Sequence, residues 1–247
     1  MKPLVVFDLE TTGLDRTKDQ IIQFAAIKIN RETNEILDSK NLYIQPEGNY
    51  QISIQAYMKH GIKADFLKDK PHFIDVAQEI FDFFNDCEIL TYNGNNFDIP
   101  FLITEFDKVG ITFNVLDRVC YDAFMEEKRR NGIGLENTYK RYKGKTMEES
   151  GLTAHDALSD VKATYAVFYA QQKVQPYEAD KILTQDNFIV MKEFQGQEKP
   201  CFSFGKYKDL SVEFVSTFDK NYLEWCVGNT SNFLPTTKDY ITKNFLS

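Results

Sequence analysis

What this sequence lacks narrows its class before any motif is considered. Its four cysteines, Cys87, Cys120, Cys201 and Cys226, lie 33, 81 and 25 positions apart, so they form neither a CxxC pair nor a dense disulfide framework. A reducing, cytoplasmic setting is therefore expected. No run approaches the roughly 18 apolar residues of a membrane span, and the few apolar residues before Asp8 are too short for a signal-peptide core. No membrane partner is expected. Positive charge is also in short supply, with a formal net charge of -8 that argues against wholesale coating of nucleic acid. Net charge governs solubility and non-specific association, however, and leaves open what a single site binds.

What is present is enough for a substantial core: 247 residues, 43% of them apolar. Leu4 to Glu10, Ile21 to Ile29 and Glu35 to Ile44 have the composition of strands joined by short connections, which predicts an antiparallel meander. Helical spacing of apolar residues follows over Val76 to Phe84, then a fourth strand over 88–92 and a second helix over Ile99 to Val109. Further helices are predicted over Tyr121 to Lys128, Leu135 to Tyr142 and Ala157 to Ala170. The polar stretch 171–181, with Pro176, has the character of a linker. It divides a domain over residues 1–175 from a small module over 186–247, with 176–185 between them. That module should open with a hairpin turning at Gln195 and Gly196 and continue as helices around Trp225.

The first strand raises a question, because "VVFDLETTGLD" places two carboxylates, Asp8 and Glu10, in a segment built for burial. Alternation along a strand points both to one face, where an unpaired carboxylate costs several kcal/mol. A shared cation is the natural partner. A third carboxylate, Asp98, follows Phe97 and precedes Pro100 at a helix start, where it is either a helix N-cap or a further ligand. A fourth, Asp160, stands five residues after His155 in "AHDALSD". Five positions on a helix rotate by about 500°, leaving these two roughly 140° apart, so they cannot share a helical face. Either they are unrelated, or His155 lies in the loop before the helix while Asp160 projects from its first turns. The second arrangement would give a rigid metal ligand and a movable proton acceptor.

In their order, these motifs resemble the DEDDh family of 3'-5' exonucleases. The first motif is matched by Asp8, Glu10, Thr11, Thr12 and Gly13, the second by Phe97 and Asp98, and the third by His155, Ala157 and Asp160. The resemblance covers residues 4 to about 170 and implies an α/β fold, an RNase H-like mixed five-stranded sheet flanked by helices. It also implies two Mg²⁺ (or Mn²⁺) ions held by Asp8, Glu10, Asp98 and Asp160, with His155 taking a proton from water. Four negative charges match two divalent cations, and oxygen ligands suit hard ions rather than zinc. Thr11, Leu14 and Phe97 are implied to meet the terminal nucleotide, although Leu14 and Phe97 also suit core packing.

The implied substrate is a nucleic acid with a 3' end, single-stranded DNA favoured, with a DNA polymerase or repair complex among the candidate partners. An exoribonuclease and a non-catalytic end-binding or polymerase-docking module are the alternatives. Residues 128–145 carry seven cations against Glu136 alone, a net +6 and a candidate phosphate-tracking stripe. "FGKYKDL" and the later "YLEW" resemble the small α+β module of exodeoxyribonuclease X-like proteins. Its Lys206, Tyr207, Lys208 and Trp225 either grip a strand or, for Trp225, fill a small core.

Overall fold

The computed structural model describes the chain apart from residues 117, 131–133, 177, 180–183, 185–187, 232 and 247, and the side chains of residues 126 and 128–130. The 176–185 linker therefore falls largely outside the described residues. Two compact units are formed, one by Met1–Phe113 with Arg118–Ala179 and a second that takes in residues 180–247.

The first unit is built on a five-stranded sheet of order β3-β2-β1-β4-β5. Its strands are β1 (Leu4–Thr11), β2 (Ile21–Ile29), β3 (Ile36–Tyr43), β4 (Glu88–Thr91) and β5 (Cys120–Asp122). The first three form the expected antiparallel meander, and β4 and β5 continue the sheet in parallel. β1 is central, and the parity of its residues divides the core. Even-numbered Leu4 and Val6 pack with Ala157, Val161 and Phe168 of α7 (Ala157–Val174), and with Tyr139 of α6 (Leu135–Lys143). Odd-numbered Phe7 faces Phe24 and Phe84, whose ring lies against Phe113. On this side stand α3 (Phe73–Phe83) and α4 (Asp98–Lys108), joined by the Phe73–Phe106 ring contact. Asp8 and Glu10 therefore share the face on which α7 lies.

Two expectations need correction. Residues 121 and 122 belong to β5, so the helix predicted from Tyr121 starts only at Ala123, as α5 (Ala123–Arg130). A three-residue parallel strand is too short for its alternation to register. Gln171–Val174, assigned to the linker by their polarity, are the last turn of α7. Gln171 is buried there because its side-chain amide donates to the Ala123 carbonyl at 3.1 Å. Two short helices, α1 (Ile54–His60) and α2 (Ala64–Leu67), had no counterpart in the sequence pattern, and α1 buries none of its side chains.

The second unit opens with the predicted hairpin, β6 (Ile189–Phe194) and β7 (Gln197–Phe202), turning at Gln195 and Gly196 with positive φ at both. Three helices follow, α8 (Val212–Phe218), α9 (Lys220–Val227) and α10 (Pro235–Ile241), and then a π-helical turn. Phe188, Ile189, Phe202, Val212, Val215, Leu223, Cys226 and Ile241 fill its core. Trp225 is not among them: it is 49% exposed, stacked on Tyr222 and edge-on to Phe233.

Phe84 touches Phe7, Phe24 and Phe113 and is fully buried. Phe84→Ala is expected to cost about 3–5 kcal/mol, the usual range for an aromatic cavity. Urea denaturation followed by far-UV circular dichroism measures it, and a loss below 1 kcal/mol would contradict this account of the core.

Candidate active site

The end of β1 is where the sheet opens. β4 pairs with β1 only from Leu4 to Val6, then leaves the sheet after Thr91. The Leu9 N–H accordingly finds its partner in a side chain: it donates to Asp98 Oδ1 at 3.0 Å. This corrects the N-cap reading of Asp98. The cap position is held by Phe97 with no side-chain bond, and Asp98 is the first helical residue, 5% exposed and turned onto β1.

The loop that delivers Asp98 is shaped by Asp122, a residue the sequence motifs do not single out. Fully buried at the end of β5, its carboxylate accepts from the N–H groups of Asn93 (2.7 Å), Asn95 (3.2 Å) and Phe124 (3.0 Å). Gly94 is required here, since a Cβ would stand 2.4 Å from Thr91 Cβ. Asn93 lies on the cavity wall with φ 65°.

The Thr-Thr-Gly turn after β1 is organised by Asp19. Its carboxylate accepts from the Thr12 hydroxyl and the Asp15 N–H, both at 2.9 Å, and leaves no room for a Cβ at Gly13. The Thr11 hydroxyl donates to the Gly13 carbonyl at 2.6 Å, so the turn itself engages that group. Leu14 is 79% exposed on the cavity wall, which removes the core-packing alternative for this residue. Phe97 is half-buried there, its ring 4.8 Å from that of Phe101.

From the other side comes α7, whose N-cap Asp156 accepts from the Ser159 N–H at 3.0 Å. As anticipated, His155 precedes the helix, exposed and in a left-handed conformation (φ 60°), while Asp160 projects from the first turn. The His155 N–H donates to Asp160 Oδ2 at 3.1 Å. Opposite Asp8 across the β1–β2 ladder stands Ala25, fully buried in the core beneath α7.

Asp8, Glu10 and Asp160 converge, each offering an oxygen within 4.8 Å of the others. Asp98 lines the same cavity, of about 270 Å³, without joining that triad, and His155 completes it. Lys59 and His60 of α1 form a wall the motifs did not reveal. Burial is the main influence on all four carboxyls. It pushes Asp8 well above the usual carboxylate range, reinforced by Asp98, Glu10 and Asp160. Burial and Asp160 push Glu10 up to about 8. Asp160 rises to about 7, and Asp98 to about 7 despite the Leu9 bond that pulls it down. An all-oxygen donor set that resists holding its own charge suits a hard divalent cation.

Raised carboxyl values favour the protonated form in the folded state. The stability they contribute is fully present below about pH 4 and is lost as pH rises through 7 to 8. In EDTA the melting temperature is therefore expected to fall between about pH 6 and pH 8.5, Mg²⁺ to restore it most at the alkaline end, and Asp8→Asn to flatten the metal-free profile. Differential scanning calorimetry decides, and a metal-free profile identical in wild type and Asp8→Asn would refute the electrostatic reading.

Comparison with known proteins agrees with this geometry. Residues 5–168 match the exonuclease family, and residues 202–231 match the exodeoxyribonuclease X-like C-terminal family. DNA polymerase III subunit epsilon of Rickettsia felis is 32% identical over 174 residues, 66% of this chain and 71% of that protein. The epsilon subunit of Escherichia coli is 29% identical over 67% of this chain and 70% of its own. Among solved structures, E. coli Exonuclease I in complex with a dA16 oligonucleotide superposes with a TM-score of 0.59 at 24% identity, covering 71% of this chain. This chain spans only 42% of that one, so the likeness is one of fold. The chain belongs to the exonuclease family, as a 3'-5' exonuclease of the DEDDh type that its motifs resemble.

Proposed function

We propose that this protein removes nucleotides one at a time from the 3' end of single-stranded DNA, with Asp8, Glu10, Asp98 and Asp160 holding two Mg²⁺ (or Mn²⁺) ions. The observation that carries the proposal is the convergence of Asp8, Glu10 and Asp160 in one cavity with Asp98 and His155 on its walls. DNA is favoured because the similar proteins include DNA polymerase III subunits and an Exonuclease I solved with a DNA oligonucleotide. A polymerase or repair complex in the cytoplasm is the corresponding partner.

When bound, the ions supply Lewis-acid stabilisation of the phosphoryl oxygens and ease the ionisation of water. His155, exposed in the loop before α7, accepts the proton of the attacking water. The water oxygen adds to phosphorus, the P–O3' bond breaks, and the shortened strand's 3' oxygen takes a proton from solvent. The products are a nucleoside 5'-monophosphate and a new 3'-hydroxyl. Leu14, exposed at the rim, and the Phe97 ring hold the terminal nucleotide by apolar contact and stacking, which tolerates any base. The Thr11 backbone contacts the 3' end, its hydroxyl being engaged by Gly13.

Of the basic stripe, Arg141 pairs with the fully buried Glu127 and so serves the fold. Lys140, Lys143 and Lys145 are exposed and remain to track phosphates, while the side chains of Lys128, Arg129 and Arg130 lie outside the described residues. In the C-terminal module Lys206 pairs with Asp219 at 2.9 Å, which leaves Lys208 and the half-exposed Trp225 as the groups to meet a strand.

Digestion of 5'-labelled single-stranded DNA, single-stranded RNA and recessed duplexes, with Mg²⁺, Mn²⁺ or EDTA, tests this reading. A metal-dependent ladder shortening from the 3' end, fastest on single-stranded DNA, is expected. Asp8→Ala should abolish it, and His155→Ala should lower turnover by roughly 10²- to 10⁴-fold, the range for a lost general base. RNA degraded faster than DNA would reassign the substrate, and binding without cleavage would refute the enzyme.

A further inference from the structure

The cavity holds one cation that the proposed chemistry has not used. Lys59 stands in the last turn of α1 and lines the cavity with Asp8, Glu10, Asp98, His155 and Asp160. Its charge reaches all four carboxyls, lowering the proton affinity of each. Yet among the described residues no carboxylate lies in ion-pair range of it, whereas Lys40, Lys68 and Lys108 each clasp one at 2.6–2.7 Å. A lysine kept near four carboxylates and bonded to none keeps its three donors for another anion.

The placement of Lys59 is built. α1 fully buries no side chain, and hydrogen bonds at both of its ends tie it down. The Ser53 N–H donates to the Thr12 carbonyl at 2.8 Å, and the Ser53 hydroxyl caps the helix through the Ala56 N–H at 3.2 Å. At the other end Gly61, with φ 68°, returns its N–H to the Tyr57 carbonyl at 2.8 Å, and His60 Nδ1 accepts from the Ile62 N–H at 2.9 Å. Thr12 lies two residues beyond Glu10, so the lysine is indexed to the strand that carries two of the carboxylates.

We propose that Lys59 contacts the scissile phosphodiester and offsets the negative charge it gains during hydrolysis. The inference rests on the exonuclease reading above. Four carboxylates and two divalent ions sum to zero; the phosphodiester adds one negative charge and the attacking oxygen a second. Protonated His155 balances one of the two, and Lys59 supplies the other positive charge from a helix tied to β1, without transferring a proton.

The test compares wild type, Lys59→Met and Lys59→Arg on 5'-labelled single-stranded DNA and on p-nitrophenyl thymidine 5'-phosphate, whose one phosphodiester is the scissile one. Lys59→Met is expected to lower kcat roughly 10- to 100-fold on both substrates, somewhat less than the loss of a fixed oxyanion donor. Lys59→Arg should recover most of it, with the Mg²⁺ concentration for half-maximal rate and the melting temperature unchanged. Unimpaired Lys59→Met, a loss confined to KM for the oligonucleotide, or a loss that added Mg²⁺ abolishes would each overturn the inference while the nuclease stands. An inactive wild type would overturn both.

Discussion

The crowding of negative charge at the end of β1 is the constraint to which the rest of the first unit answers. Two carboxylates on a central strand are already costly, and α7 adds a third within 4.8 Å. Every one of the four is displaced toward its protonated form by burial before its neighbours are counted. A fold selected for stability alone would not assemble this group. Under the proposed function its persistence is explained by divalent cations, whose charge the clustered oxygens match.

The sheet supplies the rigidity that such a group demands. β1 is central, and Asp8 and Glu10 stand in its ladder with β2, so their positions are fixed by ladder bonds rather than by loops. The early departure of β4 then leaves one backbone amide for Asp98 to occupy. One irregularity thereby satisfies a strand edge and draws a helix terminus into the site. On the opposite face, apolar Val161 packs with Leu4 and Val6 one residue after Asp160, so core packing sets how deeply α7 reaches.

Much of this was legible in the sequence because it rests on short, local periodicities. Asp8 and Glu10 on one strand face follow from alternation alone, while spacing left His155 either unrelated to Asp160 or in the loop before its helix, the arrangement that the structure shows. Asp98 was harder: its partner, the Leu9 amide, is 89 positions away, and a local rule assigns such a residue to a cap. Asp122 escaped for a similar reason, since its work is to bind backbone groups of a distant loop. α1 escaped because a helix with no buried face has no apolar period. Its signals were Ser53 and Gly61 at its two ends. The exposure of Trp225 depends on how a small core is divided among Phe188, Phe202 and Leu223, which no single segment reveals.

The distribution of thiols has a practical consequence. All four cysteines are buried and in no disulfide, Cys87 and Cys120 in the first unit and Cys201 and Cys226 in the second. Burial also holds the Cys87 and Cys201 thiols above their usual range, which keeps them in the unreactive protonated form. The native chain is thus shielded from oxidants and alkylating reagents. Each unit in turn carries two internal reporters that become modifiable only when that unit opens, so the order in which the two come apart is written in which sulfurs react first.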